Sequence, residues 1–329
     1  MSENLYIKDR FDIVEGVTLN SKMKFGQNIK YEIKNCGLLW LMLIPGLVVL
    51  ILFKIAPLLG LTIAFENYSS FKGIFGSKWV GLKNFKEILS DPYTWTVAKN
   101  TILLAFWTLL ISFPIPIIFA LFLEEVRFKK FKKFVQSISF FPYFISVAVA
   151  VSILCSFVSP ADGIINVILV KLGSSSINFM AEPGWFRPLY VLLHVWQNFG
   201  YAAIVYIAAI RGIDPTYYEA AQMDGANRWK KMHYITVPCL LPMMITMFII
   251  NLGSILSVDI NKVLLMQNPS TYSTSDVLQT YVYRMAFGSS GFPQYSLGTA
   301  LSLFQSVIAF ILVIATNAIS KKISDNSAF

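Results

Sequence analysis

The chain has 329 residues, of which 56% are hydrophobic and only 14% are charged. Soluble domains carry about 25% charged residues, so this composition excludes an ordinary soluble protein. The net charge of +9 is compatible with nucleic-acid binding, but the basic residues cluster beside long apolar runs, which favours a membrane surface as their partner. We therefore expect a polytopic membrane protein embedded in a lipid bilayer, with no nucleic-acid partner.

Six apolar stretches are long enough to cross a bilayer, because a helix of about 20 apolar residues spans its hydrocarbon core. The first begins only near residue 38 and is too long for the apolar part of a secretory signal. The sequence thus predicts an all-α fold with six transmembrane helices. The expected spans are Leu38–Ala64, Thr101–Leu123, Phe134–Val158, Leu189–Ile210, Leu240–Val258 and Leu297–Ile319.

The distribution of Lys and Arg between the loops predicts the orientation. Most of them fall on one side if the N-terminus, the second and fourth loops and the C-terminus share that side, and such an excess marks the cytoplasm. Both termini are therefore expected to be cytoplasmic. The expected parts are a tail 1–37, a first helix 38–64, an outer loop 65–96, a five-helix core 97–319 and a tail 320–329. Within the first tail, a short interfacial helix over Leu5–Val14 and a loosely ordered segment are both open.

Proline positions predict one helix start and one bend. Asp91-Pro92 is typical of a helix start, with Asp as the cap and Pro in the first turn. Pro114 and Pro116 are expected to bend the second helix unless neighbouring groups satisfy the freed carbonyls. Pro142 lies inside the third predicted helix.

Polar side chains occur inside the fourth, fifth and sixth predicted helices. Lipid cannot pair such groups, so they must face other helices or a water-filled path. Interhelical hydrogen bonding and lining of a passage both explain them. His194 has no second ligand three or four residues away, so we expect no metal site there. Our candidates for a substrate path are Gln197, Asn198, Asn251 and Gln305.

Residues 211–238 form a polar segment between two apolar runs. Either Asp214-Pro215 or the capping box Thr216–Glu219 can start a short helix. Asp224-Gly225 predicts a break, because glycine accepts backbone angles that end or redirect a helix. A second short helix containing Trp229 is expected to follow and to lead into the fifth span. The segment therefore predicts a helix–turn–helix.

Three parts of this segment resemble the EAA loop of ABC-importer permeases: Glu219-Ala220-Ala221, Gly225, and the end Ile235 to Pro238. The resemblance implies the type I ABC importer permease fold in a bacterial inner membrane. It also implies that residues 211–238, called the coupling loop below, insert into a cleft of an ATPase subunit. The residues implied in coupling are Glu219, Ala220, Ala221, Asp224, Gly225, Ala226 and Trp229.

Two further stretches, Trp79–Phe85 and Asn100–Ser146, are similar to permeases that import oligosaccharides and polysaccharide fragments. By this resemblance the chain forms half of a saccharide pathway. The implied partners are a second homologous permease, two ATP-binding subunits and an extracytoplasmic solute-binding protein. The chain contains no phosphate-binding loop of the Walker type. ATP and Mg are therefore expected on the ATPase subunits, with no cofactor in this chain and no enzymatic activity of its own.

Two other functions compete with this interpretation. Transporters driven by an ion gradient tend to place carboxylates inside the membrane, whereas the central portions of the six predicted spans contain no Asp or Glu. A permease for another small solute, such as glycerol phosphate, would be favoured by basic residues along the passage. None is evident from the sequence.

Overall fold

The computed structural model describes residues 37–253, 258–288 and 293–323. The tail 1–36, with its alternative helix Leu5–Val14, lies outside the described residues. The chain divides into two compact units, Met1–Leu61 and Thr62–Phe329.

The two short strands β1 (Glu66–Asn67) and β2 (Lys78–Trp79) pair antiparallel. The helices are α1 Gly37–Leu50, α2 Gly73–Gly76, α3 Lys83–Ser90, α4 Pro92–Ser112, α5 Pro114–Glu124, α6 Lys129–Phe140, α7 Val147–Val158, α8 Ile164–Lys171, α9 Pro183–Arg211, α10 Pro215–Met223, α11 Arg228–Lys231, α12 Val237–Gly253, α13 Ile260–Met266, α14 Tyr272–Ser275, α15 Leu278–Phe287 and α16 Tyr295–Ile323.

Within the described residues, four helical stretches are long and apolar enough to cross a membrane. The pair α6 and α7 counts as a fifth if it forms one span. The predicted number of six is therefore not confirmed, although α16 continues as a helix through the sixth predicted position. The four stretches are Leu41–Phe65, Pro92–Glu124, Pro183–Arg211 and Arg228–Gly253.

The second span begins at Pro92, because Asp91 caps α4 as predicted. The carboxylate of Asp91 accepts a hydrogen bond from the backbone N–H of Tyr93 at 3.0 Å. This satisfies one of the amide groups that a helix start leaves unpaired. The prolines at 114 and 116 fall in the first turn of α5, where a missing N–H costs little. The second span therefore continues from α4 into α5 with only a short turn at Phe113.

The third predicted span is sharply bent. Helix α6 ends in a 3₁₀ turn, Phe141–Phe144, and α7 leaves it at an angle of 105°. Pro142 lies in this turn, and Ser146 caps the new helix by accepting a hydrogen bond from the N–H of Val149. The break is hidden in the sequence, because apolar residues flank it on both sides. The Ile145 carbonyl at the bend accepts a hydrogen bond from Gln197 at 2.9 Å.

Helix α9 is the central element of the second unit. Its 29 residues extend about 43 Å at 1.5 Å per residue, more than the thickness of a bilayer core. One buried cluster joins it to α4, α7 and α13 through residues such as Leu104, Leu154 and Val263. A second joins it to α5 through Ile117 and Ala203. At Gly200 its backbone lies directly against Ser139 of α6.

A buried carboxylate holds the region between α13 and α16 against the start of α4. Asp276 is fully buried and accepts hydrogen bonds from Tyr93 at 2.6 Å and from Thr280 at 2.7 Å. Arg284 pairs with it through both terminal nitrogens. A charge can remain buried when it is paired and hydrogen-bonded in this way. The network fixes α15 to the second span.

Candidate functional site

The first helix of the coupling loop, α10, is capped by Asp214. Its carboxylate accepts a hydrogen bond from the backbone N–H of Thr216 at 2.9 Å, and Pro215 occupies the first helical position. This bond stabilises the charged carboxylate and lowers the pKa of Asp214 below its ordinary value. Of the two predicted starts, the structure therefore has Asp214-Pro215, and Thr216 lies inside α10.

Gly225 ends α10 with a Schellman motif. The N–H of Ala226 donates to the carbonyl of Ala221 at 2.9 Å, and the N–H of Gly225 donates to that of Gln222 at 3.1 Å. Gly225 has φ +73°, and a Cβ placed there would meet nothing within 4 Å. The position therefore requires glycine for its backbone conformation and leaves the space around it open. The predicted break at Asp224-Gly225 is present.

The second helix of the predicted helix–turn–helix is continuous with the fifth span, which differs from the expectation of a separate short helix. Asn227 caps α11 by accepting a hydrogen bond from the N–H of Lys230 at 2.9 Å. Helix α11 then runs through a π turn, Met232–Thr236, directly into α12. Pro238 lies in the first turn of α12, where its missing N–H does not end the helix. The coupling loop is thus one free helix, one turn and the start of a span.

Most residues that the sequence implicates in coupling are exposed at the surface. Helices α10 and α11 contain no buried residue. Met223 is 88% exposed and Trp229 is 63% exposed. Exposed large apolar side chains on a turn next to charged groups are typical of a protein contact surface. The exposed members are Glu219, Ala220, Asp224, Gly225 and Trp229, whereas Ala221 and Ala226 are half-buried.

The base of the coupling loop contacts the end of α5. The ring of Trp229 lies edge-to-face on Phe122, with centroids 6.0 Å apart. Glu124 accepts from Arg211 at 3.0 Å and from Lys132 of α6. The Glu124 side chain is 16% exposed, so these bonds are less screened than surface pairs. Three elements, α5, α6 and α9, therefore meet at one carboxylate beside the coupling loop.

Two adjoining cavities run along α9 and face α4 and α5. The first, called the polar cavity, has a volume of about 270 Å³ and is lined by His194, Asn198, Tyr201 and Asn251, among others. The second, called the apolar cavity, has a volume of about 570 Å³ and is lined by Trp107, Ile111, Arg187, Pro188, Val191 and Leu192, among others. Val195 lines both. Together the two cavities are called the α9 groove below.

Of the four residues that the sequence suggests for a substrate path, two line the α9 groove and two do not. Asn198 and Asn251 line the polar cavity. Gln197 is only 6% exposed and donates to the Ile145 carbonyl, so it stabilises the bend between α6 and α7. Gln305 is half-buried on α16 and lines neither cavity.

Arg187 is the groove residue that the sequence interpretation missed. Hydropathy placed the start of the fourth span at Leu189, so Arg187 was assigned to a loop and no basic residue was expected along a passage. The helix begins six residues earlier, at Pro183. Proline is favoured in the first turn of a helix, and this signal at residue 183 would have located the true start. The sequence shows no basic side chain along a passage, whereas in the structure Arg187 lines the apolar cavity.

The ring of Tyr201 connects the groove to the bend between α6 and α7. It is stacked on Tyr143 with centroids 4.0 Å apart and an interplanar angle of 5°. Lipid offers no partners for the amides, the imidazole and the guanidinium along the α9 groove. The arrangement is therefore suited to a water-filled path or to a contact with another protein. Among the described residues, no cluster of His, Cys, Asp or Glu could hold a metal ion.

Residues 112–325 match the family of binding-protein-dependent transport system inner membrane components. The chain belongs to this family. It is 38% identical, over 88% of its length and 90% of the relative's, to the polygalacturonan/rhamnogalacturonan transport system permease protein YteP of Bacillus subtilis. It is 30% identical to the arabinooligosaccharides transport system permease protein AraP of the same organism, over 75% of its own length and 76% of the relative's.

A solved structure shows the same fold. The match is to a bacterial ABC transporter involved in the import of the acidic polysaccharide alginate, with a TM-score of 0.83 and 35% identity over 90% of this chain and 99% of that one. A second structure of a bacterial alginate ABC transporter, in complex with a pentasaccharide-bound periplasmic protein, matches with a TM-score of 0.82. The protein is thus a multi-pass inner-membrane permease with the ABC importer fold, and it works with a binding protein.

Proposed function

We propose that the chain forms one half of the translocation pathway of an ATP-driven saccharide importer. The similar permeases named above transport polygalacturonan, rhamnogalacturonan and arabinooligosaccharides, which supports a saccharide cargo. A second homologous permease completes the pathway. The α9 groove supports this proposal, because its amide, imidazole and guanidinium groups lie on a face that lipid would not solvate.

The coupling loop docks on an ATP-binding subunit. Two such subunits bind ATP and Mg, and both termini of this chain lie on their side of the membrane, in the cytoplasm. The single observation that carries the proposal is the geometry of the loop. Its tip, from Glu219 to Gly225, is exposed except for the half-buried Ala221, while its base is fixed to α5 by the contact between Trp229 and Phe122. A rigid base and a free tip are what a lever between two subunits requires.

Movement of the ATPases on binding ATP would displace α10, and the displacement would reach the spans through two routes. One is the unbroken helix from α11 into α12. The other is the pair of Trp229 on Phe122, together with Arg211 on Glu124, which reaches α5 and α9. These are the helices that border the α9 groove. The geometry therefore connects ATP-driven movement to the pathway.

Two glycines allow a matched test. Gly225 and Gly173 both follow a helix, both have positive φ (+73° and +86°), and neither has an atom within 4 Å of its added Cβ. Replacing either by valine imposes a similar backbone strain, about 1–2 kcal/mol, but only Gly225 lies in the coupling loop. In the complete transporter, Gly225→Val should lower saccharide uptake. The rate of ATP hydrolysis should no longer depend on the saccharide-loaded binding protein. Gly173→Val should leave both unchanged.

A second pair of measurements addresses the docking surface directly. Glu219→Lys reverses a charge at an exposed site, so it should weaken retention of the ATPase subunit during purification while the thermal stability of the chain stays the same. Normal uptake by both Gly225→Val and Glu219→Lys would contradict the proposed role of the loop. Saccharide transport by this chain in the absence of any ATPase subunit would contradict the proposed function as a whole.

A further inference from the structure

Arg187 occupies an unusual position at one end of the α9 groove. It lies in the second turn of α9 and lines the apolar cavity, whose other walls include Trp107, Ile111 and Val191. Among the described residues that line the apolar cavity, Arg187 is the only one with a charged side chain. The polar cavity beyond Val195 contributes neutral amides and hydroxyls, together with His194.

The hydrogen bonds of the Arg187 guanidinium are incomplete. One terminal nitrogen donates to the Asn100 amide oxygen at 2.8 Å. The Nε–H is buried and has no acceptor among the residues that the structure describes. Arg187 also takes part in none of the ion pairs found there. The guanidinium charge therefore has no counter-charge among the described residues, and an anion in the apolar cavity would supply one.

We infer that Arg187 binds the carboxylate of an acidic saccharide as the cargo enters the α9 groove. The inference rests on the proposed function and specifies the class of saccharide. A guanidinium presents its donors in a planar fork that fits the two oxygens of a carboxylate. The apolar walls of the cavity lower the local dielectric beside the guanidinium, which strengthens its attraction for an anion.

The placement of this single charge fits transport as well as recognition. A pathway must bind its cargo strongly enough for entry and weakly enough for release. Arg187 stands at one end, and the residues further along the groove that face the cargo, such as Asn198 and Asn251, are neutral amides. An anionic sugar chain therefore meets one strong contact at the mouth and weaker contacts beyond it. The ring of Trp107 beside Arg187 offers an aromatic surface to the sugar ring.

Two substitutions distinguish anion binding from a purely structural role, in which Arg187 only ties α9 to Asn100. Arg187→Gln removes the charge and keeps an amide donor on a shorter side chain. Arg187→Lys keeps the charge and a donor for Asn100 but loses the planar fork. If the role is structural, each variant should change the response to charged and to neutral saccharides equally; if the role is anion binding, only the response to the charged saccharide should fall, and it should fall further in Arg187→Gln than in Arg187→Lys. Lys99→Gln is the control, because Lys99 is an exposed neighbour on α4 and its loss changes the net charge equally.

The experiment measures thermal stabilisation of the purified complete transporter by three probes, since a ligand that binds the native state raises its melting temperature. The probes are trigalacturonate, the same trisaccharide with its carboxyl groups reduced to alcohols, and glycerol phosphate. We expect trigalacturonate to stabilise the wild type, Lys99→Gln and, more weakly, Arg187→Lys. Arg187→Gln should bind it roughly tenfold more weakly, the loss expected for a charge-assisted pair. The reduced trisaccharide should bind all four proteins equally and weakly.

Three results would overturn the inference. Trigalacturonate could fail to stabilise the wild type, or it could stabilise the wild type and Arg187→Gln equally. The third is a stabilisation by glycerol phosphate that depends on Arg187 and exceeds the stabilisation by trigalacturonate. The last result would assign the site to a phosphate-bearing solute instead. Uptake by cells separates this failure from failure of the proposed function. Import of a neutral saccharide together with any of these results refutes only the role of Arg187, whereas a transporter that imports no saccharide of either kind refutes the proposed function.

Discussion

Gly200→Ala should separate α9 from α6 and thereby disturb the α9 groove. A Cβ at residue 200 would lie 1.9 Å from the carbonyl oxygen of Ser139 and 2.4 Å from its carbonyl carbon. Ordinary contacts of a Cβ begin at 3.4 Å. The obstructing atoms belong to the backbone of α6, which cannot rotate away as a side chain can. The helices must therefore move apart by roughly 1.5 Å at this point.

The energetic cost follows from this displacement. Overpacking of a well-packed contact costs about 1–3 kcal/mol, while alanine gains up to about 1 kcal/mol over glycine in a helix interior. The first effect exceeds the second, because the clash involves two backbones. Gly184 provides the control on the same helix, since its added Cβ meets nothing within 4 Å. Gly200→Ala should therefore lower the melting temperature of the transporter by several degrees, and Gly184→Ala should leave it unchanged or raise it slightly.

The functional consequence is equally specific. Displacement of α6 moves the 3₁₀ turn that carries Tyr143, which is stacked on Tyr201 in the polar cavity. Saccharide uptake by Gly200→Ala should fall even at temperatures where the protein is fully folded, and ATP hydrolysis should fall less. Thermal unfolding of the purified complex and uptake by vesicles measure the two effects. A melting temperature for Gly200→Ala equal to that of Gly184→Ala would refute the close packing of α9 on α6.

Three further predictions concern buried and half-buried polar groups. Asp276→Asn leaves the guanidinium of Arg284 without its counter-charge. We expect the free energy of unfolding to fall by about 3 kcal/mol, and a melting temperature like that of the wild type would contradict this. Glu124→Gln breaks two ion pairs at the base of the coupling loop and should reduce ATP-coupled uptake. Glu125→Gln should have little effect, because the only ion pair of Glu125 in the described residues is exposed and 4.0 Å long. Asn198→Ala should reduce uptake without reducing stability, and Gln197→Ala should do the reverse; the opposite assignment in a paired thermal and uptake assay would refute the division of the two residues.

Features that depend on neighbouring residues in the chain could be predicted from the sequence. Asp91-Pro92 and Asp214-Pro215 start helices, and Gly225 ends one, because each feature is decided by a cap or a φ value within a few residues. The turn within the coupling loop was predicted for the same reason. Its contacts with Phe122 and Glu124 were not predicted, since they join segments about 90 to 110 residues apart whose packing no local pattern encodes.

Features that depend on direction or on long-range packing could not be predicted. Gln197 and Asn198 are adjacent and equally polar, yet successive side chains on a helix point about 100° apart, so one supports the bend at Ile145 and the other lines the polar cavity. The bend itself was hidden by continuous hydrophobicity through Phe134–Val158. Arg187 was missed because hydropathy alone placed the start of α9 too late.

Helix α9 brings together the parts of the proposed mechanism. Arg187 lies near its first turn, the polar cavity lies along its middle, and Arg211 at its end pairs with Glu124 beside the coupling loop. The helix has no break between these points although Pro188 lies within it, because that proline falls near its start, where few backbone bonds are lost. A force applied at the coupling loop therefore acts on a continuous rod of backbone hydrogen bonds rather than on a series of flexible joints. Because Gly200 holds this rod against α6 without an intervening side chain, movement of α9 and movement of the bend at Tyr143 must occur together, and the width of the α9 groove must change with them.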